Sequence, residues 1–236
     1  VRLSVIVPTY NESHRIAASL HRFYEYLGEQ EYDYEIIVVD DASTDNTREI
    51  VRNEFPDTIL LVDKPNRGKG YAVKRGIEAA KGEIRLFTDA DNSTPIEEVE
   101  KFWPHFDSGA DVVIGSRSLP NSQVEVHQPW YRENMGKIYN LVLRIFGLTS
   151  FPDTQCGFKA VSAHAADIIF PRQTVNRFGF DAEILYIAQR HGLRVEQVPI
   201  RWINSPQSRV HPLIDSAKML GEVVRIRLNT WRGIYD

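Results

Sequence analysis

Residues 85–95 read Arg85-Leu-Phe-Thr-Asp-Ala-Asp-Asn-Ser-Thr-Pro95, an apolar strand that runs straight into two carboxylates and stops at Asn, Ser and Pro. Asp and Asn are poor strand residues, and like charges two positions apart repel unless something positive lies near them. For an isolated Asp-x-Asp, a solvated strand end leading into a helix capped by Ser93 or Thr94 ahead of Pro95 is the commoner explanation. The rest of the chain argues otherwise. Short β-branched runs at 3–7, 35–39, 58–62, 83–87 and 111–114 alternate with helical patterns at 12–27, 46–53, 69–80 and 96–106. That alternation predicts an α/β fold, a mostly parallel sheet covered by helices on both faces. Such sheets bind ligands beyond the carboxyl ends of their strands. The unusual residues collect there: Pro8-Thr-Tyr-Asn-Glu12, Asp40-Asp41, Asp89-Ala-Asp91 and Gly115-Ser-Arg117.

The second half has a different grammar. Segment 118–130 is polar and turn-rich, which predicts a mobile loop over the site. Helical patterns follow at 131–146 and 181–191, a late strand at 194–200 and a long amphipathic stretch at 213–231. No repeat, low-complexity tract or composition break appears, so 1–236 is expected to be one domain.

Composition narrows the function. The chain has 236 residues, 42% hydrophobic and 25% charged, an ordinary globular balance. A net charge of −4 argues against a nucleic-acid binder. From Arg201 onward, however, five Arg and one Lys face Asp215, Glu222 and Asp236, which suggests an anionic surface or ligand at that end. Cys156 is the only cysteine, so an intrachain disulfide is excluded, and it is expected to pack rather than react. Trp130, Trp202 and Trp231 read as core or interface. No apolar run approaches the roughly 20 residues of a membrane span, and the chain reads as soluble, although position 1 is not Met.

The fingerprints of phosphate-cradling glycine loops are missing. Gly68-Lys-Gly70 is followed by Gly76, which breaks G-x-G-x-x-G, and no G-x-x-x-x-G-K-[ST] occurs. The alternative is a divalent cation on carboxylates, neutralising a diphosphate as it leaves. Asp89 and Asp91 suit it, since side chains two apart on an extended segment share a face. The cation would offset their repulsion.

Taken together, VIVPTYNE (5–12), IIVVDDASTD (36–45), NRGKGYAVKRG (66–76), FTDADNST (87–94), GSR (115–117) and DTQCGFK (153–159) resemble the family-2 glycosyltransferases with the GT-A, Rossmann-like fold. More narrowly, with GFDAEILYIAQ (179–189) and IRLNTWRG (226–233), they resemble the dolichyl-phosphate β-glucosyltransferases, the dolichyl-phosphate mannosyltransferases standing one step further away. The resemblance implies an inverting, metal-dependent enzyme that moves a hexose, glucose from UDP-glucose, onto a polyprenyl or dolichyl phosphate. It implies that 1–117 holds the nucleotide-sugar donor and that 118–236, largely helical, serves the acceptor. Pro8, Tyr10, Glu12 and Asp41 should contact the base and ribose, with Lys69 close by, while Asp89 and Asp91 position the diphosphate and its Mg2+ or Mn2+. Ser93 stands where the mannosyltransferases have a Gln metal ligand, so ligation at 93 does not carry over. The membrane anchor of eukaryotic glucosyltransferases has no counterpart in the chain as given.

A phosphate monoester is already anionic at neutral pH and needs cations to place it rather than a general base. By the same resemblance, Arg117, Arg132 and Arg209 surround that phosphate. Asp153 is the candidate base if the acceptor is instead a hydroxyl of a glycan or small molecule. A non-catalytic sugar-nucleotide-binding subunit is a further alternative. The implied location is the cytoplasmic face of a membrane, peripherally held, with the oligomeric state open. In 213–231, Leu213, Ala217, Leu220, Val224 and Leu228 form an apolar stripe expected to pack on the domain, with the basic end toward the membrane.

Overall fold

The computed structural model describes residues 1–126, 130–203 and 212–236, apart from the side chains of 130–133 and 212–217. Arg209, the side chains of Trp130, Arg132, Leu213 and Ala217, and residues 127–129 of the expected loop lie outside the described residues. The first half runs β1 (Leu3–Thr9), α1 (Ile16–Gly28), β2 (Tyr34–Asp41), α2 (Thr47–Glu54), β3 (Ile59–Asp63), α3 (Lys69–Ala79) and β4 (Ile84–Phe87). A 3-10 segment (Ile96–Lys101), α4 (Trp103–Asp107) and β5 (Val112–Ser116) follow. The second half adds β6 (Gln123–Val126), α5 (Trp130–Ile145), β7 (Lys159–Ser162), α6 (Ala163–Arg172), α7 (Phe180–Arg190), β8 (Val195–Pro199), β9 (Arg201–Ile203) and α8 (Pro212–Trp231).

Seven strands form one sheet in the order β3-β2-β1-β4-β7-β5-β8. All neighbours are parallel except β7, which lies antiparallel between β4 and β5. Alternate strand residues feed opposite faces. Ile6, Ile37 and Val39 pack toward Val73, Ile77 and Phe180, whereas Val5, Val7, Ile36 and Val38 pack toward Leu20, Phe23 and Val51. Burying both faces is why the strands read as continuous apolar runs. Each fully buried aliphatic or aromatic side chain contributes roughly 1.5–3 kcal/mol.

Several expectations are corrected. The first helix starts at Ile16, not at residue 12, because Asn11 sits at φ 55 and the segment to Arg15 is loop. The single helix expected at 96–106 divides into the 3-10 segment and α4, whose first turn holds Pro104. Segment 118–130 is not all loop: Gln123–Val126 pairs in parallel with β9. The described members of the apolar stripe of 213–231, Leu220, Val224 and Leu228, are exposed and face outward, while Val223 and Ile226 make the packing contact.

Candidate active site

The loops after β1 and β2 are stitched together beyond the strand ends. The Asn11 side-chain carbonyl accepts from the amides of Thr44 and Asp45, and Asn11 N–H donates to the Ser43 hydroxyl (2.8 Å). The Glu12 amide donates to Thr47 Oγ1 (2.8 Å) and the Ser13 amide to Asp45 Oδ2 (3.1 Å). Pro8 is half-buried within β1, and Tyr10 is exposed just beyond it. The Glu12 carboxylate is buried against the Arg15 guanidinium. The carboxylate of Asp41, at the end of β2, accepts from the amides of Arg67 (2.9 Å) and Gly68 (2.6 Å). It thereby hangs the 66–70 loop from the sheet, and Gly68, at φ 112, supplies a conformation that side chains resist.

That loop delivers Lys69, the first residue of α3, to Asp89, with Nζ 2.5 Å from Oδ1. Burial disfavours the Lys69 ammonium, but Asp89, Asp181 and Asp91 more than offset it and raise its pKa. The Asp89–Asp91 segment is fixed at its centre by Ser19 Oγ, which donates to the Ala90 carbonyl (2.7 Å), and beyond it by Ile203 N–H on the Ser93 carbonyl (2.7 Å). Asp91 Oδ1 accepts from the Ser93 amide (3.0 Å), and Oδ2 lies 3.6 Å from Arg15 Nη1. Asp89 also fills space that a side chain at position 157 would take: a Cβ on Gly157 would sit 2.0 Å from Asp89 Oδ2.

Arg117 and Asp153 form a two-pronged ion pair. Nε and Nη2 donate to Oδ2 and Oδ1, each at 2.8 Å, and the Arg117 amide donates to Oδ2 at 2.9 Å. Its guanidinium lies over the Trp202 ring, 5.3 Å from the centroid. Burial alone would raise the Asp153 pKa, but the charge and hydrogen bonds of Arg117 win and hold it at about 2. An acid that weak as a base, already committed to two guanidinium donors, is poorly suited to accept a proton.

A buried layer supports these groups. Lys159, fully buried at the start of β7, places Nζ 2.5 Å from Asp181 Oδ1, donates to the Cys156 carbonyl and lies 5.5 Å from the Phe87 ring centroid. Cys156 is buried, with its thiol pushed up to about 11 by burial, as a packing residue should be. The structure thus gathers Lys69, Asp89, Asp91, Arg117 and Asp153, and turns the Asp41 carboxylate toward loop amides and that of Glu12 toward Arg15. Sequence reading passed over Arg15, Gly157, Lys159 and Asp181. Gly157 and Lys159 lie within DTQCGFK and Asp181 within GFDAEILYIAQ, but nothing local in those stretches says that these residues pack beneath a site.

The carboxylates fit a hard divalent cation. Burial and the neighbouring Asp89 charge raise the Asp91 pKa despite Ser93 and Arg15, so negative charge is left over between the two. Oxygen donors of this kind suit Mg2+ or Mn2+. Among the described residues no cluster of three His, Cys, Asp or Glu side chains occurs that would cage an ion unaided. The remaining ligands would have to be ligand oxygens or water, the usual habit of Mg2+ on phosphates.

Residues 4–168 match the family model described as glycosyl transferase family 2. Over its whole length the chain is 34% identical to the dolichyl-phosphate beta-glucosyltransferase of Dictyostelium discoideum, covering 76% of that protein. It is also 34% identical to that of Saccharomyces cerevisiae (99% of this chain, 76% of the relative) and 29% identical to that of Homo sapiens (99% and 77%). Among solved structures it resembles glucosyl-3-phosphoglycerate synthase from Mycobacterium tuberculosis in complex with Mn2+, uridine diphosphate and phosphoglyceric acid. That likeness has a TM-score of 0.69 at 22% identity, over 97% of this chain and 78% of the other.

Proposed function

The chain belongs to glycosyl transferase family 2, and we propose that this glycosyltransferase moves glucose from UDP-glucose to dolichyl or another polyprenyl phosphate, with inversion and with Mg2+ or Mn2+ on the diphosphate. The reading rests above all on the pairing of Arg117 with Asp153 beside the Asp89–Asp91 carboxylates. Were the acceptor a hydroxyl, the site would need a free base, and the candidate, Asp153, is held ionised by Arg117. A phosphate monoester brings its own anionic nucleophile. The names and identities of the relatives favour the glucosyl donor and the dolichyl acceptor.

In this reading Pro8, Tyr10, Glu12 and Asp41 shape the mouth for the base and ribose, Asp41 acting through the 66–70 loop. Asp89 and Asp91 would hold the cation, which when bound neutralises the departing diphosphate. Lys69 keeps Asp89 aimed. Arg117, with Arg132 and Arg209, places the acceptor phosphate, its orientation fixed by Asp153 and Trp202. Fixed charges of this kind cost no reorganisation as the bond breaks. The enzyme then works where a membrane presents the lipid acceptor. The test is transfer from UDP-glucose, GDP-mannose and UDP-N-acetylglucosamine, with Mn2+, to a short polyprenyl phosphate or the matching polyprenol. Glucose transfer to the phosphate alone is expected. Transfer to the polyprenol, or preference for the guanine donor, would overturn the reading.

A further inference from the structure

Helices α5 and α8 pack against each other, and each exposes a further face among its described residues. On α5, Ile138, Leu141 and Ile145 recur at helical spacing on the exposed side, and Ile145 is 73% exposed. On α8 the exposed line is Leu220, Val224, Leu228 and Trp231, the last 75% exposed. A helix that packs on its domain normally turns its apolar stripe inward. Here each helix has a second apolar stripe besides the one that packs.

The charges on these helices are one-sided. Lys137 and Arg144 are the only ionised groups among the described side chains of α5, and both are exposed. On the described part of α8 stand Lys218, Arg225 and Arg227, with one acid, Glu222. Glu222 turns inward, accepting from the Gly179 amide at 2.8 Å. Arg227 reaches the end of α5, its Nη2 3.6 Å from where a Cβ on Gly147 would lie. So a chain of net charge −4 presents, across two touching helices, apolar side chains flanked by cations.

We propose that the paired outer faces of α5 and α8 are a docking surface for an anionic lipid bilayer, lying in the plane of its headgroups. Apolar residues sink to the acyl boundary, Trp231 sits at the interface and the long cations reach back to lipid phosphates. Among the described side chains of the two faces the exposed charges are all basic, and that chooses this occupant, since a face built for a second copy of itself would set cations against cations. The inference deepens the proposed function, because it says which side of the enzyme meets the membrane that carries its acceptor. It does not depend on that reading for its test.

The test is flotation with vesicles of phosphatidylcholine alone or with about a third phosphatidylserine, free of any polyprenyl phosphate. The protein should float with the anionic vesicles and lose most of that binding at high salt. Ile145→Glu and Trp231→Glu, both at exposed positions, should each reduce the bound fraction at least ten-fold while keeping the melting temperature. Arg144→Glu with Arg227→Glu should abolish the preference for anionic lipid. No flotation of the parent, or undiminished flotation of the variants, would overturn the proposal. So would light scattering that shows a lipid-free dimer which Ile145→Glu dissociates. Transfer to a short, water-soluble polyprenyl phosphate, measured alongside, should be unchanged in all three variants and reports on the proposed reaction separately.

Discussion

At the scale of single residues, the site depends on small, local permissions. Gly157 is the clearest. Its missing Cβ leaves room for Asp89, and a methyl there would stand 2.0 Å from Oδ2 and 2.7 Å from the carboxylate carbon. Gly157→Ala should therefore swing Asp89 away from Lys69 with little effect on the fold. Mn2+ affinity measured by calorimetry should fall by ten-fold or more while the melting temperature moves by only a few degrees; unchanged affinity would show that Asp89 is no ligand. The Arg117–Asp153 pair gives a pH signature. The Asp153 pKa is depressed to about 2 against an ordinary unfolded value of about 3.9. The sign follows: its stabilisation is present in full above the unfolded value and is lost as pH falls through the folded one. Melting curves of the parent and Asp153→Asn should differ by a constant gap from pH 8 to about 5, and the gap should close toward pH 2. A gap that closes near pH 6 would contradict the pairing. Residues of this kind were half legible in the sequence. Asp89, Asp91 and Arg117 announce themselves at strand ends, but Arg15 and Asp181 look like any charge at a helix start, and only the fold brings them to the carboxylates.

At the scale of elements, what was legible follows from period and length. The strands β1 to β5 and the helices α1 to α3 carry strong apolar patterns, and their positions were read to within a few residues. The strand β7 was not, because Lys-Ala-Val-Ser is four residues long and opens on a lysine. In place, that lysine is what ties the strand to the site, through Asp181 in the first turn of α7. Two groups this deeply buried stabilise each other only as a pair; removing one leaves an uncompensated charge, at a cost of about 3–5 kcal/mol. Asp181→Asn should lower the melting temperature by about 10 °C, at roughly 2–4 °C per kcal/mol for a chain of this size. Pairing Lys159→Met with it should recover most of the loss, because no charge is then left buried. If the double variant is less stable than the single one, the pair is not the source of the effect. The outward stripe of α8 was misread for a related reason: helical spacing shows that a stripe exists, not which of two stripes faces the core.

At the scale of the whole molecule, the proposed donor side of the site is assembled from segments far apart in sequence. The loop after β1 is pinned to the loop after β2, the 66–70 loop to Asp41, the Ala90 carbonyl to α1 and the Ser93 carbonyl to β9. A ligand that binds across these ends is bound by the folded chain and not by the unfolded one, so it must raise stability by mass action. At a hundred times its dissociation constant the gain is about 2.7 kcal/mol, or about 5–11 °C at the same rate of 2–4 °C per kcal/mol. The charges say which ligand does so. A nucleoside diphosphate alone would bring its negative charge up to Asp89 and Asp91, where burial and then the Asp89 charge already raise the Asp91 pKa. Uridine diphosphate without metal should therefore give little shift, Mn2+ alone a small one, and the two together a shift larger than their sum. Asp91→Asn removes one anionic ligand and should reduce that excess sharply, with turnover falling on the order of 10²–10³-fold. The same variant should leave the metal-free shift equal or slightly larger, since it also removes a repulsion. Equal shifts with and without Mn2+ in the parent would mean that the diphosphate is held by cationic side chains alone, and the two carboxylates would then need another purpose.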